Sequence, residues 1–153
     1  MKTSDEKFMA AAIKEADKAA AKGEIPVGCV IVADGKIIAR GHNLRESRND
    51  PTAHAEVVAL RKAGKKIKGW RLNGSTVYVS CEPCPMCAGA LVLSRVKRVV
   101  FGCKDPKAGA MESLYEIGRD HRLNHQFEVL GGVLEKECQA QLSGFFKKAR
   151  SGL

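Results

Sequence analysis

The sequence predicts an α/β protein, a three-layer α/β/α sandwich around a central mixed five-stranded sheet, and three observations carry that reading. Helical and strand patterns alternate along the chain in the order α-β-β-α-β-α-β-α-β-α. Asp34-Gly35 joins two Val- and Ile-rich runs, the composition of a tight antiparallel hairpin. Gly23, Gly74, Pro83 and Pro85 punctuate the chain where one pattern gives way to the next.

The elements follow in order. Phe8, Ala12, Ala16 and Ala19 recur at helical spacing, predicting an amphipathic helix over Ser4–Ala21 that Gly23 ends. Val27–Ala33 and Lys36–Gly41 are the hairpin strands. Leu44–Pro51 has the composition of a loop and leads into an Ala- and Leu-rich helix from about His54 to Lys65. Thr76–Ser80 is a strand by its β-branched and aromatic content, and Pro83 and Pro85 introduce a helix through Leu93. Arg98–Gly102 is another apolar strand and Lys104–Ala110 a loop. Glu112–Gly118 reads as a short helix, Phe127–Leu130 as a weak strand and Leu134–Arg150 as a terminal helix.

With 153 residues the chain fits a single domain able to bury a core. Hydrophobic residues are 44% and aromatics only 5%, so that core rests on Ala, Val, Leu and Ile. Asp5, Glu6, Glu15 and Asp17 interrupt the first apolar stretch, which excludes a secretory signal there, and no apolar run reaches the ~18–20 residues that span a bilayer. The expected location is the cytoplasm, with no membrane partner. In that compartment the six cysteines point to metal or core roles rather than disulfides. Twenty-six basic residues against 17 acidic ones leave a charge of +9, which favours a polyanionic partner.

Two motifs carry chemistry. His54-Ala55-Glu56 opens one helix, and Pro83-Cys84-Pro85-Met86-Cys87 opens another. Cys84 and Cys87 are three apart, so on a helix their sulfurs share a face. One imidazole and two thiolates suit a single tetrahedral zinc ion, and three protein ligands leave the fourth position for water. Zinc can bring that water's pKa to roughly 7, and Glu56, two residues beyond His54, is placed to take its proton and pass it on. His-x-Glu followed by Pro-Cys-x-x-Cys is the signature of zinc deaminases. A closed structural zinc clip would need a fourth ligand, for which Cys81 is the candidate. As the residue closing a strand, Cys81 reads better as a buried or neighbouring thiol. An iron–sulfur run would need a cysteine where Leu91 stands. Cys29, Cys103 and Cys138 lack partner spacing and read as core.

The chain resembles the bacterial tRNA-specific adenosine deaminases along nearly its whole length. The likeness rests on Ile25-Pro26-Val27-Gly28, His42-Asn43, Asp50 to Glu56, Glu82 to Ala90, Ser94-Arg95, Val99 to Gly102, Asp105, Gly109, Ser113-Leu114, Leu123-Asn124-His125 and Phe145 to Lys148. The resemblance implies a cytidine deaminase-like fold, a homodimer with one zinc per subunit, and a tRNA anticodon stem-loop as partner, whose wobble adenosine becomes inosine. It also implies site roles: Asn43 and the Ala55 amide read the purine, Asp105 touches the target nucleotide, and Phe146 and Lys147 lie on a terminal helix beside the RNA. Phe145 equally fits the core spacing of that helix. Ser80-Cys81, Pro85 and Gln126 depart from the family pattern, and the first two resemble free guanine deaminases instead, which keeps a free-base deaminase as the alternative. A zinc or RNA-binding module without catalysis is a third reading, which an intact Glu56 disfavours.

Overall fold

In the computed structural model, which describes residues 2–151, the strands β1 (Gly28–Ala33), β2 (Lys36–His42), β3 (Thr76–Cys81), β4 (Arg98–Cys103) and β5 (Glu128–Leu130) form one sheet in the order β2-β1-β3-β4-β5. β1 runs antiparallel to both β2 and β3, whereas β3, β4 and β5 are parallel, so the sheet is mixed as expected. Asp34 and Gly35 both take positive φ, at 51° and 73°, as a two-residue hairpin turn requires.

Side chains alternate across the sheet and build two cores. Cys29, Ile31, Val77, Val79, Val99 and Phe101 face one way and pack against the helices α3 (Ala55–Ile67) and α4 (Pro85–Leu93). Val30, Val32, Tyr78 and Val100 face the other way. They meet Met9 and Ala12 of α1 (Ser4–Ala21) and Cys138 of α5 (Glu135–Arg150). The two faces together make the three-layer sandwich. Helices approach the sheet closely where glycine permits it: a Cβ on Gly28 would sit 2.0 Å from the Ala12 carbonyl, and one on Gly41 2.6 Å from that of Ala55. Cys29, Cys103 and Cys138 are buried, as their isolation in the sequence implied. Among the described residues no helix is long and apolar enough to cross a membrane.

Two local expectations fail, and both fail at a buried carboxylate. The Leu44–Pro51 loop contains a one-turn helix, α2 (Arg45–Arg48), whose Glu46 and Ser47 N–H groups donate to Glu24 at 3.1 and 2.6 Å. The short helix expected over Glu112–Gly118 is instead a series of turns ending in a 3-10 turn at Ile117–Arg119. There the Met111, Glu112 and Ser113 N–H groups all donate to Glu82, so the segment wraps around a carboxylate rather than winding regularly.

Glu24 is completely buried, yet its carboxyl lies below the usual carboxylate range. Burial pushes it up, but the Ser47 hydroxyl, the two N–H donors and the Arg45 charge outweigh that. Its stabilising effect is therefore fully present above the ordinary carboxyl pKa and is lost as pH falls through the lower folded value. Glu24→Gln is expected to cost about 2 kcal/mol at pH 7. The gap in Tm between native and variant should close as pH is lowered below the ordinary carboxyl value of 4.5 and through the lower folded one. A gap that stays constant with pH would contradict this account.

Candidate metal centre and active site

Topology brings the site together. β2 and β3 both run opposite to β1, and β4 is parallel to β3, so the C-terminal ends of β2, β3 and β4 emerge at one edge of the sheet. Chain leaving that edge carries Asn43 and Arg45 after β2, Glu82 and Cys84 after β3, and Lys104 and Asp105 after β4. In α/β sheets this edge is where ligands bind.

His54 caps α3 in extended conformation, and Cys84 does the same for α4, with Pro85 in the first turn. Leu44, Ala53 and Val58 pack together beneath the approach to His54, and the Leu44 N–H donates to the Ala53 carbonyl at 2.9 Å, closing that loop. His54 Nδ1 lies 3.6 Å from Cys84 Sγ and 3.5 Å from Cys87 Sγ, and all three donors fall within 4.8 Å of one another. Zinc bonds of about 2.0 and 2.3 Å meeting at a tetrahedral angle place nitrogen and sulfur about 3.5 Å apart. The group fits that ion in size and in chemistry. Cys81 lies outside the donor group: it closes β3, sits opposite Cys103 in register and lines the cavity. This arrangement supports three protein ligands rather than a closed four-ligand clip.

The electrostatics favour a cation. The Cys84 thiol is held down to about 4 by the Cys87 thiol and the His54 ring, against burial that opposes ionisation. The neighbouring Cys84 sulfur in turn raises His54. Glu56, in the first turn of α3, is only 4% exposed, and burial pushes its carboxyl up to about 7. A group poised there holds or releases a proton at neutral pH with little cost, as a shuttle must.

Above these donors lies a cavity of about 580 Å³. Asn43, Ala55, Glu56, Asp105 and Phe146 line it, as do His54 and Cys84. Asn43 is fixed at both ends of its amide: Nδ2 donates to the Ile25 carbonyl at 3.2 Å, and Oδ1 accepts from the Arg45 N–H at 3.2 Å. One N–H and one lone pair remain for a ligand. Asp105 turns its own loop, its Oδ1 accepting from the Lys107 and Ala108 N–H groups. Lys147 is exposed on α5 and is not among the cavity-lining residues, whereas Gln139, Leu142 and Ser143 of the same helix are. Arg45, Lys104 and Lys107 at the cavity rim were not singled out by the sequence, and Glu82, which also lines the cavity, stood in the family likeness without a role of its own. The signal for the first three was their position just after β2 and β4, which matters only once the strand order is known.

A family model for the cytidine and deoxycytidylate deaminase zinc-binding region matches residues 2–103. The chain is 55% identical to the tRNA-specific adenosine deaminase of Bacillus subtilis, over 97% of this chain and 92% of that protein. A solved structure from work on A-to-I editing by tRNA:A34 deaminases at the wobble position superposes with a TM-score of 0.85. It is 40% identical, over 88% of this chain and 98% of that one. The guanine deaminase of Bacillus subtilis is 46% identical, but it covers only 65% of this chain and 64% of its own length, with a TM-score of 0.62. The similarity to guanine deaminase is thus partial, whereas that to the tRNA enzymes runs through the whole sandwich. The chain belongs to the cytidine and deoxycytidylate deaminase family and, within it, to the zinc-dependent tRNA-specific adenosine deaminases.

Proposed function

We propose that this chain, as a single deaminase domain, converts the wobble adenosine of an arginine tRNA anticodon to inosine by hydrolysis. The observation that carries the reading is the cavity itself. Its floor holds His54, Cys84 and Glu56, and its rim carries Arg45, Lys104 and Lys107, cations that a phosphate backbone requires and a free base does not. The unpaired anticodon loop spares much of the few kcal/mol needed to extrude a base from a duplex.

His54, Cys84 and Cys87 hold the zinc, which when bound supplies the Lewis acidity that makes water nucleophilic near neutral pH. Glu56 takes the proton from the attacking water and delivers it to the adenine ring nitrogen beside the reacting carbon. It then moves the second proton to the departing amine, so that ammonia leaves and a carbonyl remains. Asn43 orients the purine with the N–H and lone pair left over from its structural bonds, and the Ala55 amide at the start of α3 adds a donor. Asp105 meets the target nucleotide from the opposite rim. Phe146, 41% exposed at the cavity, stacks on the RNA, and Lys147 contacts its backbone from the neighbouring face of α5.

The protein acts in the cytoplasm as a homodimer. Supporting the dimer, Met86 and Leu93 of α4 and Leu114 and Tyr115 beyond it are exposed apolar side chains that a second copy would cover.

Incubation with an arginine-tRNA anticodon stem-loop is expected to yield inosine, read as G on sequencing, with affinity falling steeply as salt rises from 50 to 200 mM. No conversion under single-turnover conditions would refute this function. Ammonia release from guanine, with the stem-loop untouched, would favour the free-base reading.

A further inference from the structure

Glu82 stands between the end of β3 and the Pro83-Cys84 turn and is 3% exposed. Its Oε2 accepts three consecutive N–H groups, from Met111 at 3.0 Å, Glu112 at 2.8 Å and Ser113 at 2.9 Å. Its Oε1 accepts the Asp105 N–H at 3.1 Å and the Ser113 hydroxyl. A carboxylate offers about four lone-pair sites, so these five donors leave Glu82 nothing for a ligand, although it lines the cavity. Gly109 closes the cradle from the other side: a Cβ there would lie 2.4 Å from the Glu82 carboxyl and 2.6 Å from the Asp105 carbonyl. One side chain therefore ties the rim carrying Lys104, Asp105 and Lys107 to the strand end that, two residues later, presents Cys84.

We infer that Glu82 is a positioning residue for substrate binding: it sets where the Lys104–Ala108 rim stands relative to the His54, Cys84 and Cys87 donors, and so governs RNA capture rather than the hydrolytic step. The inference rests on the tRNA reading given above.

Glu82→Gln separates the two parts of the cradle. Glutamine keeps one acceptor oxygen, which satisfies the three clustered N–H groups, and turns its amide towards Asp105 and the Ser113 hydroxyl. The hydroxyl can reverse and accept, but the Asp105 N–H cannot, and the rim is released at that point. With the anticodon stem-loop, the variant is expected to raise KM about tenfold, as losing a hydrogen bond to a charged group does, while kcat falls no more than about threefold. Zinc should stay at one per chain. Gly109→Ala displaces the same contact from the opposite side and should show the same split, and the double variant should be no worse than the worse single one. It also keeps the question open to measurement if Glu82→Gln fails to fold. Native KM in both variants, or a kcat that falls in step with zinc content at constant KM, would overturn the positioning role while leaving the substrate assignment intact. A native enzyme that converts no stem-loop would overturn both.

Discussion

Glu56→Gln is expected to lower turnover about 10³-fold, within the 10²–10⁴ range that a positioned acid or base contributes. The amide preserves shape and can hydrogen-bond, but it cannot carry a proton from water to the purine. Glu56 is not one of the three clustered donors, so zinc should remain at one per chain. Its carboxyl is buried and pushed up to about 7, which means that at higher pH the folded protein holds an anion its surroundings disfavour. That cost grows as pH rises from the ordinary carboxyl value towards 7, and the neutral amide avoids it. With metal removed from both proteins by a chelator, Glu56→Gln should therefore melt no lower than native at pH 8, while the zinc-loaded variant remains inactive. Loss of activity that tracked loss of folding would make Glu56 structural. Turnover within tenfold of native would remove it from the mechanism and revive the reading of a binding module without catalysis.

Removing the metal is expected to abolish activity and to lower Tm, with both restored by one equivalent of zinc. A ligand that binds only the folded chain stabilises it by RT ln(1 + [L]/Kd), about 4 kcal/mol at a thousandfold excess over Kd, which for a chain of this size is a shift of roughly 8–16 °C. Cys87→Ser should show the same loss without a chelator, because Cys87 is fully buried and its sulfur is 3.5 Å from His54 Nδ1. Cys81→Ser is the informative partner experiment. Its thiol stands outside the donor group, so zinc should stay at one per chain and the metal-dependent part of Tm should be unchanged. Zinc loss in Cys81→Ser would make the site four-coordinate through protein alone, and a closed site has no position left for the reacting water.

The division between what was legible in the chain and what was not follows the range of the interactions involved. His54, Glu56, Cys84 and Cys87 could be read directly, because zinc tolerates few ligand types and helix starts give those residues a fixed local spacing. The Asp34-Gly35 hairpin, the long helices and the alternating strand faces were legible for the same reason, since each is set by neighbours two to four residues away. The site around them was not. Phe146 lines the cavity and its neighbour Lys147 does not, a distinction made by about 100° of rotation on a helix whose orientation is decided by packing against β4 and α1. Asn43, Arg45, Lys104 and Asp105 converge because β2, β3 and β4 end at one edge, and strand order is not written in any one segment.

The sequence alone picked out the layered fold, the His54, Cys84 and Cys87 group that is placed to hold a metal ion, and Glu56 beside it, and it pointed to the reaction through them. Only the tertiary structure decided how the rims of the cavity are held. There two buried carboxylates, Glu24 and Glu82, take up N–H groups lying more than 20 residues away, and such bonds form only when the folded sheet brings their partners within reach.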